Sequence, residues 1–149
     1  MSGLLLVCAS TDPRDALAEP QWIDADAPDG RKIRAFVARP KGDGPFPIVV
    51  VLHGTDGFRQ RYVYLAQDLA RHGFVAVAGC WFGGHYFWRG RIDPSGSAPH
   101  QDAIHCPRGP EFKAASLPAK QDVLAIVEAA RKLPGVQPRR VGLFGHSRG

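Results

Sequence analysis

The last five residues of the chain carry its clearest chemical pattern. They read Gly145-His146-Ser147-Arg148-Gly149, which has the form G-x-S-x-G and directly follows a predicted buried strand at residues 140–144. A strand that turns sharply into a helix holds such a serine in a strained conformation, with its hydroxyl exposed above the sheet. Glycine on either side removes side chains that would collide with the neighbouring strand and helix. The pattern therefore predicts that Ser147 is a nucleophile rather than a serine in an ordinary tight turn.

A second glycine-containing loop follows another predicted buried strand, at residues 48–52, and reads His53-Gly54-Thr55-Asp56-Gly57. Acyl transfer requires fixed N–H donors that hold the oxyanion as it develops. The backbone N–H of Arg148, the residue after the predicted nucleophile, can supply one donor. The loop can supply the other donor from Thr55 or Asp56, of which we favour Thr55. The alternative is a glycine-rich turn that only links a strand to a helix.

The strands that position these two loops are recognisable from their patterns. Residues 21–27 and 32–38 flank the pair Asp29-Gly30, which is a strong signal for a β-hairpin. Residues 48–52 form a continuously apolar run, and residues 74–78 and 140–144 are predicted as two further buried strands. Such runs are typical of strands that are buried on both faces, as in a parallel sheet covered by helices.

Two amphipathic helices separate the buried strands. The first is predicted at residues 62–72, with Tyr62 and Ala66 in its buried stripe, and the second at residues 116–133. A hairpin followed by strand–helix–strand–helix–strand predicts an α/β fold, with a mainly parallel sheet and helices on both faces. Residues 20–149 are expected to form one incomplete domain of this kind, and residues 1–19 an N-terminal tail.

A long irregular stretch at residues 81–115 is rich in glycine, proline, histidine and aromatic residues. We expect it to lie over the ligand site, because loops of this length inside a compact domain are usually functional or contain small elements of their own. Its aromatic cluster either lines an apolar pocket or only covers the end of the sheet: Trp81, Phe82, Tyr86, Phe87 and Trp88.

The cysteines do not form a disulfide framework, because three of them cannot all pair within one chain. Reduced, packed thiols are expected, and a bond between Cys80 and Cys106 is the alternative for an exported protein. These two cysteines stand near three histidines, but the spacing lacks the tight pairs of structural zinc sites: His85, His100 and His105. We therefore predict no metal and no organic cofactor.

Composition narrows the function classes further. The chain has 149 residues, 44% of them hydrophobic, and a net charge of +5 whose basic residues are scattered. The absence of a polybasic run argues against nucleic-acid binding, and no apolar stretch approaches the roughly twenty residues of a membrane span. The tail contains the apolar residues 4–9 without a preceding Lys or Arg, so a cytoplasmic protein is expected. Export is the alternative if the true N-terminus is longer and the tail is the remnant of a signal segment.

The chain resembles the dienelactone hydrolase-like branch of the α/β-hydrolase superfamily. The resemblance runs from about Trp22 to the end and is carried by the segments at residues 29–40, 47–54, 69–77 and 140–149. Dienelactone hydrolases proper use a cysteine as nucleophile, and Ser147 occupies that position here. The resemblance therefore implies a serine hydrolase that acts on ester-like bonds, carboxylic esters or lactones, of a small-molecule substrate.

The rest of a catalytic triad is missing from the sequence. In this fold the chain order is Ser, then Asp or Glu, then His, so the histidine base and its carboxylate are expected beyond Gly149. The chain is accordingly predicted to be an inactive N-terminal fragment whose uncovered last strand favours association. The alternative is a non-catalytic relative that acts as a binding or regulatory module. The oligomeric state and the substrate itself stay open.

Overall fold

The structure, a computed structural model, describes residues 16–81, 87–88, 91–92, 104, 106, 119–147 and 149. In chain order its elements are β1 (Gln21–Asp26), β2 (Lys32–Ala38), β3 (Phe46–Leu52), α1 (Gln60–Arg71), β4 (Val75–Gly79), β5 (Phe87–Trp88), β6 (Arg91–Ile92), α2 (Ala119–Arg131) and β7 (Val136–Gly145).

The predicted hairpin is confirmed. Strands β1 and β2 pair antiparallel from Asp26 opposite Lys32 to Gln21 opposite Val37. The turn between them closes with a hydrogen bond of 2.9 Å from the Ala27 N–H to the Arg31 carbonyl oxygen. Burial alternates in the first part of β2, where Ile33 and Ala35 are buried and Lys32 and Arg34 are exposed, whereas residues 35–38 are all buried.

Five strands form one sheet in the order β1-β2-β4-β3-β7. The sheet is mixed: β3 pairs parallel with β4 and β7, whereas β2 pairs antiparallel with β1 and β4. The chain steps from β3 to β4 in one direction and then returns past β3 to β7. Because such crossovers are right-handed, this reversal places α1 and α2 on opposite faces of the sheet. The loops that follow β3 and β7 consequently meet at the same edge of the sheet.

The centre of the sheet is buried on both faces. All five residues of β4 are buried, and their small side chains let the helices approach closely. A Cβ atom on Gly79 would lie 2.3 Å from Cδ1 of Ile126 on α2. This close approach explains why a strand made of valine, alanine and glycine packs well at this position.

Strand β7 differs from the sequence prediction in two ways. It is longer, and the predicted burial of residues 140–144 on both faces is wrong, because β7 lies at the end of the sheet and most of its residues are exposed. The predicted strand began at residue 140, whereas β7 begins at Val136. The pairing shifts register between Phe46 and Ile48 of β3, which face Val136 and Val141. Pro138 lies in this irregular part of the edge strand, where the ladder does not need its missing N–H. A proline that would interrupt a central strand is therefore tolerated here.

The long stretch after β4 contains a small hairpin, in which β5 pairs antiparallel with β6. A disulfide joins Cys80 to Cys106, so the expectation of reduced thiols is wrong. The hydrogen bond from the Ile104 N–H to the Phe58 carbonyl oxygen, 2.9 Å long, holds the second cysteine near the end of β4. The two Cα atoms lie 5.8 Å apart, within the range that a disulfide spans. No helix in the described ranges is long and apolar enough to cross a bilayer.

Candidate active site

The turn after β7 has the geometry of a nucleophile elbow. The strand pairs with β3 up to Gly145, which lies opposite Leu52. The His146 N–H then donates to the Leu52 carbonyl oxygen at 3.3 Å, and the Gly149 N–H donates back to the His146 carbonyl oxygen at 3.1 Å. Between them Ser147 has a φ of 60°, in the left-handed region that a non-glycine residue adopts only when its surroundings impose it.

Both glycines of the pattern are required by close backbone contacts. A Cβ atom on Gly145 would lie 2.1 Å from the carbonyl carbon of Gly149. A Cβ atom on Gly149 would lie 2.5 Å from the carbonyl oxygen of Leu52. Neither position can accept a side chain without moving the backbone. This steric conflict is the one that the sequence analysis expected at the two glycines of G-x-S-x-G.

The loop after β3 lies directly against this elbow. A Cβ atom on Gly54 would be 3.0 Å from the His146 carbonyl oxygen and 3.1 Å from Cβ of Ser147. The structure therefore brings together the two segments that the sequence assigned to one site. Thr55 is the next residue of that loop. Arg148, the other predicted oxyanion donor, lies outside the described residues.

The imidazole of His53 is fully buried and supports the loop from beneath. Its Nδ1 lies 2.8 Å from the Gly54 carbonyl oxygen, and its Nε2 lies 3.1 Å from the Trp81 carbonyl oxygen. The Gly57 N–H also donates to the Gly54 oxygen, at 3.2 Å. In a trans peptide the C=O and the following N–H point in opposite directions. Holding the Gly54 oxygen thus fixes the direction of the Thr55 N–H.

The preceding peptide, between His53 and Gly54, is also held at both ends. The Trp81 Nε1–H donates to the His53 carbonyl oxygen at 3.1 Å. The Gly54 N–H donates to the Tyr62 hydroxyl at 2.9 Å. Two successive peptide planes beside Ser147 are therefore oriented by side chains, which is the kind of preorganisation that an oxyanion site requires.

Asp56, in the loop after β3, forms ion pairs with two arginines. The partners are Arg61 and, at 3.5 Å, Arg59. The hydrogen bond that Arg61 donates to the Tyr62 hydroxyl raises the pKa of its guanidinium, and Asp56 adds to this effect. These ion pairs join the loop after β3 to the start of α1.

No general base is brought to Ser147 among the histidines that the structure describes. His53 faces backbone carbonyls, and His72 lies at the end of α1 with its Nδ1 2.8 Å from the Asp68 carbonyl oxygen. His146 has its Nδ1 3.4 Å from the Tyr62 hydroxyl. The loop histidines of the zinc hypothesis lie outside the described residues: His85, His100 and His105.

Other predictions for the long stretch have mixed outcomes. The disulfide removes both thiols that the zinc hypothesis would need, and the described residues contain no metal-ligating cluster. Trp81 is buried against the loop after β3, so it supports the candidate site as well as covering the end of the sheet. The other aromatic side chains of that cluster lie outside the described part.

Sequence reasoning missed the roles of Tyr62 and Trp81. Tyr62 was placed in the buried stripe of the helix, and it is indeed buried. The available signal was chemical: a buried phenol or indole usually finds a hydrogen-bond partner. Here both partners are backbone groups of the loop that adjoins Ser147.

Comparison with known proteins gives a match to one family. A sequence profile described as the dienelactone hydrolase family matches residues 33–149. No curated protein matches the chain.

Solved structures share the fold. A Klebsiella pneumoniae protein assigned as a dienelactone hydrolase has a TM-score of 0.60 at 22% identity, covering 89% of this chain and 52% of its own. A dienelactone hydrolase-like promiscuous phosphotriesterase from metagenomic libraries has a TM-score of 0.57 at 22% identity, covering 89% and 51%. The thermophilic carboxylesterase EstE1 from a metagenomic library has a TM-score of 0.59 at 22% identity, covering 89% and 38%.

The fold shared with these proteins is the α/β-hydrolase fold, as predicted. At these identities the likeness shows the fold and nothing further. The chain spans about half the length of the first two structures.

Proposed function

The chain belongs to the dienelactone hydrolase family. On that premise we propose that it carries the nucleophile of a serine hydrolase and, in residues 53–57 after β3, the loop that helps to bind the oxyanion, here called the oxyanion loop. The bonds attacked would be carboxylic esters or lactones of a small-molecule substrate. The observation that carries this proposal is the position of Ser147, which has a φ of 60° and lies against Gly54 of the oxyanion loop.

In the proposed mechanism the Ser147 oxygen attacks the substrate carbonyl carbon. Its proton passes to a histidine base and then to the leaving alcohol as the C–O bond breaks, which leaves an acyl-enzyme. Water then attacks the acyl carbon, and the acid departs as the serine is restored. The base and its carboxylate would come from sequence after Gly149, so the 149-residue chain alone would turn over no ester.

The Thr55 and Arg148 N–H groups would hold the oxyanion. Support for Thr55 comes from the hydrogen bond that the Gly57 N–H donates to the Gly54 oxygen and from the His53 Nδ1 that lies 2.8 Å from the same oxygen, because these contacts set the peptide plane that ends in the Thr55 N–H. An oxyanion donor is useful only if it is aimed before the charge develops. Because Ser147 stands where dienelactone hydrolases proper have a cysteine, we do not include dienelactones among the proposed substrates.

The test is an intact mass spectrum of the protein expressed from its native gene, with and without a fluorophosphonate probe. We expect a single adduct, located on Ser147 by peptide mapping, and no adduct in Ser147→Ala. Ser147→Cys is a matched control, because it keeps the elbow but changes the nucleophile to a thiol. A wild-type protein with a mass well above 16.2 kDa that takes no label, or a Ser147→Ala variant that still does, would contradict the proposal. A 16.2 kDa protein that takes no label would turn attention to a non-catalytic binding module.

A further inference from the structure

Several polar groups contact the hydroxyl of Tyr62, which has no role in the proposed chemistry. Tyr62 lies in the first turn of α1 and is 2% exposed. Its oxygen is 2.9 Å from the Gly54 nitrogen and 3.0 Å from Nη2 of Arg61. It is also 3.2 Å from Oδ1 of Asp56 and 3.4 Å from Nδ1 of His146. One hydroxyl therefore contacts both the loop after β3 and the elbow after β7.

The hydrogen-bonding capacity of the phenol is fully used in this arrangement. A tyrosine hydroxyl can donate one hydrogen bond and accept two. The Gly54 N–H and the Arg61 guanidinium can only donate, so they occupy both acceptor positions. The single phenolic proton is left for the Asp56 carboxylate or for His146. No spare capacity remains, so the direction of the Gly54 N–H is fixed by the position of the Tyr62 oxygen.

This matters because Gly54 has no side chain of its own to hold it in place. The peptide between His53 and Gly54 is held at its carbonyl end by Trp81 and at its N–H end by Tyr62. Any rotation at Gly54 also turns the next peptide, which ends in the Thr55 N–H. By holding the peptide between His53 and Gly54, Tyr62 thus also orients the peptide between Gly54 and Thr55.

We propose that the Tyr62 hydroxyl is a positioning group that holds the Gly54 amide, and through it the Thr55 N–H, in register with Ser147. The proposal rests on the function proposed above, in which the Thr55 N–H stabilises the oxyanion. Tyr62 does not touch the reacting atoms. It acts through the loop, and its contact with His146 ties that loop to the elbow.

The variant Tyr62→Phe isolates the hydroxyl from the ring. The ring packs against Phe58 with the two planes nearly parallel and against the imidazole of His53, and phenylalanine keeps these contacts. What is lost is the acceptor for a buried Gly54 N–H. The oxyanion charge exists only in the transition state, so the loss should appear in kcat with KM unchanged.

The kinetic experiment uses the protein expressed from its native gene and p-nitrophenyl acetate as substrate. Removing an oxyanion donor outright lowers kcat by roughly 100- to 1000-fold, so a misaimed donor should lower kcat about 10- to 100-fold with KM within about twofold. The control is Tyr64→Phe, which removes a hydroxyl from an exposed position of the same helix. A Tyr62→Phe variant with kcat within twofold of wild type, or with its loss confined to KM, would overturn the proposal.

A second measurement does not depend on activity. Hydrogen exchange of the Gly54 amide, followed by NMR, should be slow in the wild type and at least tenfold faster in Tyr62→Phe, with no change in Tyr64→Phe. A rapidly exchanging Gly54 amide in the wild type would refute the positioning role even if the variant failed to fold. If the wild type takes no fluorophosphonate label, the proposed function fails separately, and the exchange data still decide whether Tyr62 holds the loop.

Discussion

The ion pair between Arg31 and Asp122 allows a sharp prediction about stability. Arg31 lies in the turn between β1 and β2, and Asp122 lies in the first turn of α2. Nη2 of Arg31 lies 2.6 Å from Oδ1 of Asp122, and Nη1 lies 3.4 Å from Oδ2. The Asp122 side chain is 0% exposed and that of Arg31 is 19% exposed. The hydrogen bond that Arg31 donates to Asp122 raises the pKa of the Arg31 guanidinium, and the hydrogen bond that Arg31 donates to Asp29 lowers the pKa of that carboxyl.

The size of the effect follows from burial. Removing one partner of a fully buried ion pair costs about 3–5 kcal/mol, but Arg31 keeps its pair with Asp29 and some contact with water. We therefore expect Asp122→Asn to lower the free energy of unfolding by about 2–3 kcal/mol. The matched control is Asp68→Asn, whose pair with Arg71 has the same 2.6 Å distance but whose side chain is 64% exposed. That variant should lose no more than about 0.5 kcal/mol.

The assay is urea unfolding of the wild type and the two variants at one pH and ionic strength. Both variants lose one negative charge, so a difference between them reports burial rather than net charge. The midpoint should fall clearly in Asp122→Asn with an unchanged slope, since the slope reports the surface exposed on unfolding. If Asp122→Asn and Asp68→Asn lay within about 0.5 kcal/mol of each other, the reasoning from burial would be refuted.

Three further predictions concern the elbow, the disulfide and the last strand. Gly145→Ala should lower the free energy of unfolding by about 1–3 kcal/mol and abolish labelling by the fluorophosphonate probe, because its Cβ would lie 2.1 Å from a backbone carbonyl carbon. Unchanged labelling in a folded variant would contradict this. Reducing the bond between Cys80 and Cys106, which are 26 residues apart in sequence, should cost about 3 kcal/mol, as judged by urea unfolding with and without reductant. Leu143 and Phe144 are exposed apolar residues of β7. Lysine at both positions should shift the 149-residue chain toward monomer in size-exclusion chromatography. An unchanged elution volume would count against association through this part of β7.

The candidate site was predictable where its logic is local. The G-x-S-x-G spacing placed Ser147 at the end of a strand because only a glycine-flanked residue makes that turn, and the structure gives Ser147 a φ of 60°. The loop at residues 53–57 was predicted to share the site because acyl transfer needs a second fixed N–H donor beside the nucleophile, and Gly54 does adjoin Ser147. The roles assigned to these residues stay predictions until the labelling experiment is done.

The boundaries of elements were less predictable than their existence. The sequence predicted the first helix at residues 62–72 and the last strand from residue 140, whereas α1 spans Gln60–Arg71. In the structure β7 begins at Val136, because a shifted register on an edge strand accommodates Pro138. Whether a strand lies at an edge depends on its neighbours in the sheet, and a single-sequence pattern does not contain that information.

The sequence by itself determined which segments form the main strands and helices, and where a strained serine could stand, because these properties depend on short stretches of the chain. It did not determine the burial of the last strand: residues 140–144 were predicted to be buried on both faces, but most of β7 is exposed. Only the tertiary structure decided what the buried polar groups of the site contact. Tyr62 and His146 are 84 positions apart in sequence, and Trp81 is 28 positions from His53. Periodicity shows that such a side chain is buried, but its hydrogen-bond partner depends on how two distant segments pack against each other.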